Sequence, residues 1–201
     1  MKSLVHRLGP DQWDAWYSED RATDRLVTDA EVDRFLQHVK PHAAASVLDV
    51  GCGIGSFSRQ LSRWGYDVLG LDFSPIAIQT AHRQGVNGRL HYGVHDFDAG
   101  AIPPRLQPGS LDLIVCRNIL PFIDHPRFMV DARRWLRPGG QLYVLVRVWS
   151  ERRGEPDERP WQRGFTEEQV QDLQHGWAQQ GRCWLGRHTA LYLSDPRHRT
   201  L

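Results

Sequence analysis

Short apolar runs alternate with amphipathic stretches along most of the chain. Five runs of five to eight residues are rich in branched and aromatic side chains, which is typical of strands buried in a sheet. The alternation of these runs with helical patterns predicts a parallel sheet with helices on both faces. The strands are predicted over 46–50, 67–72, 89–94, 111–116 and 141–148.

Capping signals mark the starts of the predicted helices. Thr28 with Glu31, and Thr166 with Gln169, have the spacing of a capping box, and Ser74 precedes a proline suited to the first helical turn. Apolar residues recur at intervals of three and four within these segments. The helices are predicted over about 29–39, 55–64, 75–84, 126–136 and 166–177.

Two further segments follow the alternating region. Residues 150–164 are polar and aperiodic, which predicts a loop or a lid. Gly186 separates two apolar runs within 182–194, which predicts a closing β-hairpin. The length of 201 residues predicts a single domain with a sizeable core.

Composition narrows the class of protein. The formal net charge is +1, and 40% of the residues are apolar. No apolar run approaches the ~20 residues of a membrane span, and the N-terminus lacks a signal-peptide core, so we expect a cytoplasmic protein. Cys52, Cys116 and Cys183 are too few and too scattered for a disulfide framework or a zinc cluster, so we expect no metal.

The segment VLDVGCGIGSFS (47–58) carries a predicted strand into a helix through Gly51, Gly53 and Gly55. Such a turn presents bare N–H groups at the positive end of a helix. It therefore suits an anion or a cofactor that approaches the backbone closely. Alone, this signal is weak.

Acidic residues at the ends of the next two strands sharpen the prediction. Asp72 ends the second strand, where a carboxylate can accept hydrogen bonds from both hydroxyls of a ribose. Asp96 and Phe97 follow the third strand, where a carboxylate and a ring can hold an adenine by its amino group and its face. Together, these positions predict a nucleoside-containing cofactor.

Five segments resemble, in order and spacing, the successive motifs of class I S-adenosylmethionine-dependent methyltransferases. They span roughly residues 46–148 and read VLDVGCGIGSFS, GLDFSP, HDFDA, LDLIVCRNIL and LRPGGQLYVLV. The resemblance implies a Rossmann-like, doubly wound α/β fold. Its seven-stranded sheet has the order 3-2-1-4-5-7-6, with strand 7 antiparallel and helices on both faces. It also implies an N-terminal helical cap region over 1–40 and a catalytic core over 46–201.

The resemblance also implies S-adenosylmethionine as the cofactor and assigns its contacts. The glycine turn lies beside the methionine part, Asp72 binds the ribose, and an aromatic residue of the N-terminal helix covers the methionine end. The cofactor-binding residues implied are Asp49, Gly51, Gly53, Gly55, Asp72, Phe73, Asp96, Phe97, Asn118 and Tyr17.

Candidate acceptor contacts come from the N-terminal stretch and from the ends of the fourth and fifth strands, because ligands of open α/β sheets bind at the carboxyl ends of strands. Arg147 ends a buried strand where an apolar residue is more usual, so we expect it to hold an anionic or polar acceptor. No catalytic base is predicted, since in-line methyl transfer requires one only when the acceptor must lose a proton. The acceptor candidates are Trp13, Arg117, Phe122, Arg147 and Trp149.

The function predicted is methyl transfer to an oxygen, nitrogen or carbon of a small molecule, by a monomer or homodimer. The absence of an Asn/Asp-Pro-Pro-aromatic motif after the fourth strand, together with the near-neutral charge, argues against a nucleic-acid substrate. Arginine clusters at 133–134, 152–153 and 197–199 keep an RNA or protein methyltransferase as an alternative. A non-catalytic binding subunit is a second alternative, and a nicotinamide-dependent enzyme is a third.

Overall fold

The structure is a computed structural model that describes residues 8–19, 27–39, 42–99, 101–149 and 161–195. The helices are α1 (Pro10–Ser18), α2 (Asp29–His38), α3 (Ser56–Arg63), α4 (Pro75–Arg83), α5 (His125–Trp135) and α6 (Glu167–Gln174). The strands are β1 (Ser46–Val50), β2 (Asp67–Asp72), β3 (Leu90–Val94), β4 (Leu111–Arg117), β5 (Leu136–Trp149), β6 (Phe165–Thr166), β7 (Gln179–Leu185) and β8 (His188–Ser194).

The strands form one sheet in the order β3-β2-β1-β4-β5-β8-β7, and the two-residue strand β6 pairs with β5. Strands β1 to β5 are parallel, whereas β8 runs antiparallel to both β5 and β7. The predicted order is confirmed. The short strand β6 shifts the numbering, so that the predicted antiparallel strand 7 is β8.

Apolar side chains alternate between the two faces of the central strands, and each face has its own helices. In β1, Val47 packs on the face covered by α2, α3 and α4, where Phe57 lies. Leu48 and Val50 pack on the opposite face with α5 and α6, where Phe128 lies. Because β1 is covered on both sides, its carboxyl end and the turn that follows are held between two packed layers.

The predicted caps form, with one informative exception. Thr166 and Gln169 make both bonds of a capping box at the start of α6, and the Ser74 hydroxyl accepts from the backbone of α4. The Thr28 hydroxyl accepts from the N–H of Glu31, but the Glu31 carboxylate turns away from the cap. That carboxylate bonds to β4, as described below.

Strand β5 is longer than predicted. It begins at Leu136, so residues 138–140, expected as a loop, belong to the strand. The register against β4 shifts between Leu111 and Leu113, which accommodates Gly139 at φ +78°. Residues 150–160 of the predicted loop or lid lie outside the described residues.

Among the described residues, no helix has both the length and the apolar character needed to span a membrane. Within the same residues, no group of three or more histidine, cysteine, aspartate or glutamate side chains is arranged to hold a metal ion.

Candidate functional site

The turn between β1 and α3 has left-handed backbone geometry. The φ angle is +55° at Gly53 and +77° at Gly55, values that residues with a Cβ rarely adopt. Gly55 is also the N-cap of α3. Glycine is therefore required here by the backbone of the turn itself, whatever binds in front of it.

Side chains of the protein pack directly against the turn. A Cβ added to Gly51 would lie 2.7 Å from the side chain of Ile119. A Cβ added to Gly53 would lie 2.8 Å from the hydroxyl of Tyr17. The bare backbone at these two positions thus lets the segment after β4, and helix α1, approach the end of β1.

Gly55 has a different neighbour. A Cβ there would lie 2.6 Å from a ring carbon of Tyr92 on β3, and the Tyr92 hydroxyl donates to the Gly55 carbonyl at 3.3 Å. Gly55 lines neither of the cavities described below. Its geometry supports packing between the turn and β3, and gives no support to the predicted cofactor contact.

The carboxylate of Asp72 is tied to the glycine turn. Its two oxygens accept from the N–H groups of Gly53 and Ser74, each at 2.9 Å, and the residue is only 5% exposed. The acid at the end of β2 therefore fixes the position of the turn after β1. Asp72 also lines the β2–β3 cavity described below.

A cavity at the carboxyl end of β1, here the β1 cavity, has about 510 Å³ of space including its open mouth. It carries one carboxylate and one guanidinium among aromatic rings and backbone N–H groups. Its lining residues are Trp16, Tyr17, Asp49, Gly51, Cys52, Gly53, Ile54, Ser56, Phe57, Arg117 and Asn118.

A second cavity, here the β2–β3 cavity, lies at the ends of those strands and has about 360 Å³ of space including its open mouth. It is mostly apolar, with two carboxylates at its wall. Its lining residues are Trp13, Gly51, Asp72, Phe73, His95, Asp96, Phe97, Ile119, Phe122 and Ile123. Gly51 lines both cavities, which therefore adjoin at its backbone.

Asp49 is the buried acid of the β1 cavity. It is 2% exposed, and its carboxylate accepts from the Ser58 hydroxyl of α3 at 2.6 Å. Burial raises the pKa of Asp49 to about 6, an effect that the Ser58 bond and the charge of Arg117 oppose. Asp49 is therefore ionised at neutral pH but is costly to keep so, which favours a cationic group beside it.

Arg117 is the guanidinium of the same cavity, and it is fixed by a residue far away in the chain. Its Nε and Nη2 donate to the two carboxylate oxygens of Glu31 on α2, at 2.6 and 2.7 Å. The Tyr143 hydroxyl of β5 donates to Glu31 at 3.2 Å, and Arg117 lies 4.9 Å from the centre of the Phe57 ring. Glu31 was identified from the sequence only as a capping residue.

Helix α1 covers the edge where the two cavities open. Trp13 lies at the centre of an aromatic cluster, with ring centres 5.6 Å from Trp16, 5.1 Å from Phe122 and 5.3 Å from Trp161. Asp14 of α1 accepts a hydrogen bond from the Ser74 hydroxyl at the start of α4. The cluster places apolar surface, rather than solvent, over the carboxyl ends of the strands.

The candidates at the ends of β4 and β5 are divided in space. Asn118 lines the β1 cavity in a left-handed conformation, φ +57°, and its N–H donates to the Leu145 carbonyl at 2.7 Å. Arg147 and Trp149 line neither cavity. At the end of β5, the Arg147 guanidinium lies 4.6 Å from the Trp149 ring centre and donates to Gln162.

Residues 48–144 match the family model described as a methyltransferase domain. This span contains the glycine turn, Asp72 and the strand ends that line both cavities. Over these residues the chain matches the methyltransferase family, and its sheet has the fold of class I S-adenosylmethionine-dependent methyltransferases.

Individual relatives agree with this assignment. The chain is 37% identical over 107 residues to a ubiquinone biosynthesis O-methyltransferase of Xylella fastidiosa, which is 52% of this chain and 42% of that protein. The chain thus spans less than half the length of this relative. A solved S-adenosylmethionine-dependent methyltransferase of Mesorhizobium loti is 27% identical, with a TM-score of 0.52 over 59% of this chain and 53% of that one.

Another solved structure shares the fold over a larger part of this chain. The protein bound to the Trm112 methyltransferase activator in a complex from Haloferax volcanii has a TM-score of 0.73, over 92% of this chain and 98% of that chain. At 19% identity, this likeness concerns the fold alone.

S-adenosylmethionine is the cofactor of this methyltransferase family, and the two cavities suit its two ends. The β2–β3 cavity offers the rings of Phe73 and Phe97 and the carboxylates of Asp72 and Asp96, which suit an adenine and a ribose. The β1 cavity offers a carboxylate and a guanidinium, which suit the charged amino-acid end.

Burial changes the pKa values of two side chains near the donor site, the thiol of Cys52 and the imidazole of His95. Burial, reinforced by Asp72 and Asp49, raises the pKa of the Cys52 thiol well above its usual range, so the thiol stays protonated. Burial lowers the pKa of His95, which packs edge-on against Phe97 at 4.7 Å between ring centres. A neutral His95 at the wall of the β2–β3 cavity is suited to packing against a ligand there.

Sequence reasoning missed several residues that line the cavities. Ile119 directly follows Asn118, and Phe57 lies two residues after Gly55. Their positions next to the recognised motifs were an available signal. Glu31 gave no such signal, because its partner Arg117 is 86 residues away.

Proposed function

We propose that this methyltransferase transfers a methyl group to an oxygen of a small-molecule acceptor, with the donor bound across the β1 and β2–β3 cavities. The observation that carries the proposal is the pair of adjoining cavities sharing Gly51, with Asp49 on one side and Asp72 on the other. The names of the relatives, ubiquinone biosynthesis O-methyltransferases, support oxygen as the methylated atom.

When bound, S-adenosylmethionine supplies an electrophilic methyl group on a positively charged sulfur. The protein's part is to hold the donor at both ends and to keep water away from the reacting atoms. Asp72 holds the ribose end, the β1 cavity holds the amino-acid end, and the aromatic cluster around Trp13 excludes water.

The acceptor enters, in this proposal, where β4 and β5 end. Arg147 and Trp149 lie there, outside the two donor cavities. Phe122 and Arg163 are neighbours at the aromatic cluster, with the guanidinium 5.5 Å from the ring centre. Aromatic faces and guanidinium groups together suit a planar acceptor with polar or anionic substituents.

Transfer of a labelled methyl group to a panel of phenols and catechols tests the proposal. We expect label in the organic extract with the unaltered protein, and none with a Gly53→Val control that blocks the β1 cavity. Label in RNA or protein with none in the small molecules would support the alternative substrate classes. Donor binding without transfer to any acceptor would favour a non-catalytic subunit. Either outcome would overturn small-molecule methylation.

A further inference from the structure

Glu31 and Arg117 form a buried, doubly hydrogen-bonded ion pair at the wall of the β1 cavity. Glu31 is 3% exposed, and the side chain of Arg117 is 12% exposed. A buried ion pair often stabilises a fold no better than apolar side chains of the same size. Its presence at the wall of the β1 cavity therefore indicates a role beyond stability.

The pair leaves part of one guanidinium for a ligand. Nε and Nη2 of Arg117 are bonded to Glu31, and among the described residues no hydrogen bond involves Nη1. Arg117 is the one cationic side chain among the described residues that line the β1 cavity. A guanidinium fixed on one edge by a bidentate carboxylate keeps its remaining nitrogen in a defined direction.

The charges around the cavity match those of an α-amino acid. Asp49 supplies a carboxylate that suits an ammonium group, and Arg117 supplies a cation that suits a carboxylate. Glu31, Asp49 and Arg117 together carry one net negative charge when ionised. A zwitterionic amino-acid end leaves that charge to complement the positive sulfur of the donor.

We propose that Arg117 binds the carboxylate of S-adenosylmethionine and that Glu31 is a positioning residue that aims the guanidinium. The sequence assigned Arg117 to the acceptor, and its place beside Asp49 favours the donor instead. Tyr143 supports the arrangement through its bond to Glu31. This assignment concerns donor binding, so it is tested without knowing the acceptor.

Isothermal titration with two donors isolates the contact. S-adenosylmethionine and its decarboxylated form differ only in the carboxylate. We expect the unaltered protein to prefer S-adenosylmethionine by about 10- to 100-fold, the range for a hydrogen bond to a charged group. Arg117→Met should abolish the preference while leaving the affinity for the decarboxylated form nearly unchanged. Glu31→Gln should reduce the preference by weakening the orientation of Arg117.

Two further variants control for misfolding and for the general effect of breaking an ion pair. Because Arg117→Met leaves a buried carboxylate without its partner, the double variant Glu31→Gln/Arg117→Met restores neutrality and should fold. It should show the same loss of preference. Arg182→Met breaks a similar bidentate pair with Glu167 at the edge of the sheet, outside both cavities, and should leave the preference intact.

The results separate a binding role from a structural one. If the double variant keeps the preference for S-adenosylmethionine, the carboxylate is held elsewhere, for example by the N-terminus of α3, and the proposal is wrong. If it loses affinity for both donors equally, the pair only maintains the shape of the cavity, and the proposal is equally wrong. Methyl transfer itself does not enter these measurements, so failure here leaves the proposed function standing.

Discussion

Replacing Asp49 by asparagine should make the ligand-free protein more stable at neutral pH. Burial raises the pKa of this carboxyl from 3.8 to about 6. At 1.36 kcal/mol per unit, its ionisation above pH 6 lowers the free energy of unfolding by about 3 kcal/mol. Asparagine keeps an oxygen that can accept from Ser58 but carries no charge to desolvate.

The direction in which stability changes with pH follows from proton binding to Asp49. Between pH 3.8 and 6 the folded state holds the Asp49 proton more tightly than the unfolded state, so stability falls as pH rises and the full loss is present above pH 6. Urea unfolding, followed by tryptophan fluorescence, should show the difference between Asp49→Asn and the unaltered protein growing by about 3 kcal/mol between about pH 3.5 and 7.5. A difference that is constant with pH would refute the reasoning.

Three substitutions test the other parts of the site. Gly55→Ala should destabilise the protein by about 2–4 kcal/mol in urea unfolding, because of its φ of +77° and the Tyr92 ring 2.6 Å from the new Cβ, and should change donor affinity little where folded. Gly53→Val should abolish binding of S-adenosylhomocysteine in calorimetry and should also lower the melting temperature, because valine is strained at a φ of +55°. Retained binding by the folded variant would mean that the β1 cavity is not the donor site. Asp72→Ala should weaken the same binding by about 1–3 kcal/mol and lower the melting temperature, since Gly53 and Ser74 lose their acceptor. Unchanged affinity would remove Asp72 from the ribose.

Local pattern was sufficient to predict most of the fold. Strands β1 and β2 begin and end where their apolar runs do, and Ser74 caps α4 as its proline suggested. These features depend on neighbours within a few residues, which a sequence displays directly. The closing hairpin around Gly186 follows the same logic, although β7 begins at Gln179, three residues earlier than its apolar run.

Long-range contacts account for what was not predicted. Thr28 and Glu31 have capping-box spacing, yet the Glu31 carboxylate bonds to Arg117, because a buried guanidinium is a stronger partner than a backbone N–H. The packing of Tyr92 on Gly55 was not predicted either, because a sequence does not show that the two residues are in contact. In both cases the deciding partner lies on another element, tens of residues away.

The central claim is that the two cavities form one donor site across Gly51. A crystal structure with S-adenosylhomocysteine tests it most directly. We expect the adenine beside Phe73 and Phe97, the ribose hydroxyls within hydrogen-bond distance of Asp72, and the amino-acid end between Asp49 and Arg117. A ligand bound elsewhere, or a ribose that makes no contact with Asp72, would contradict it.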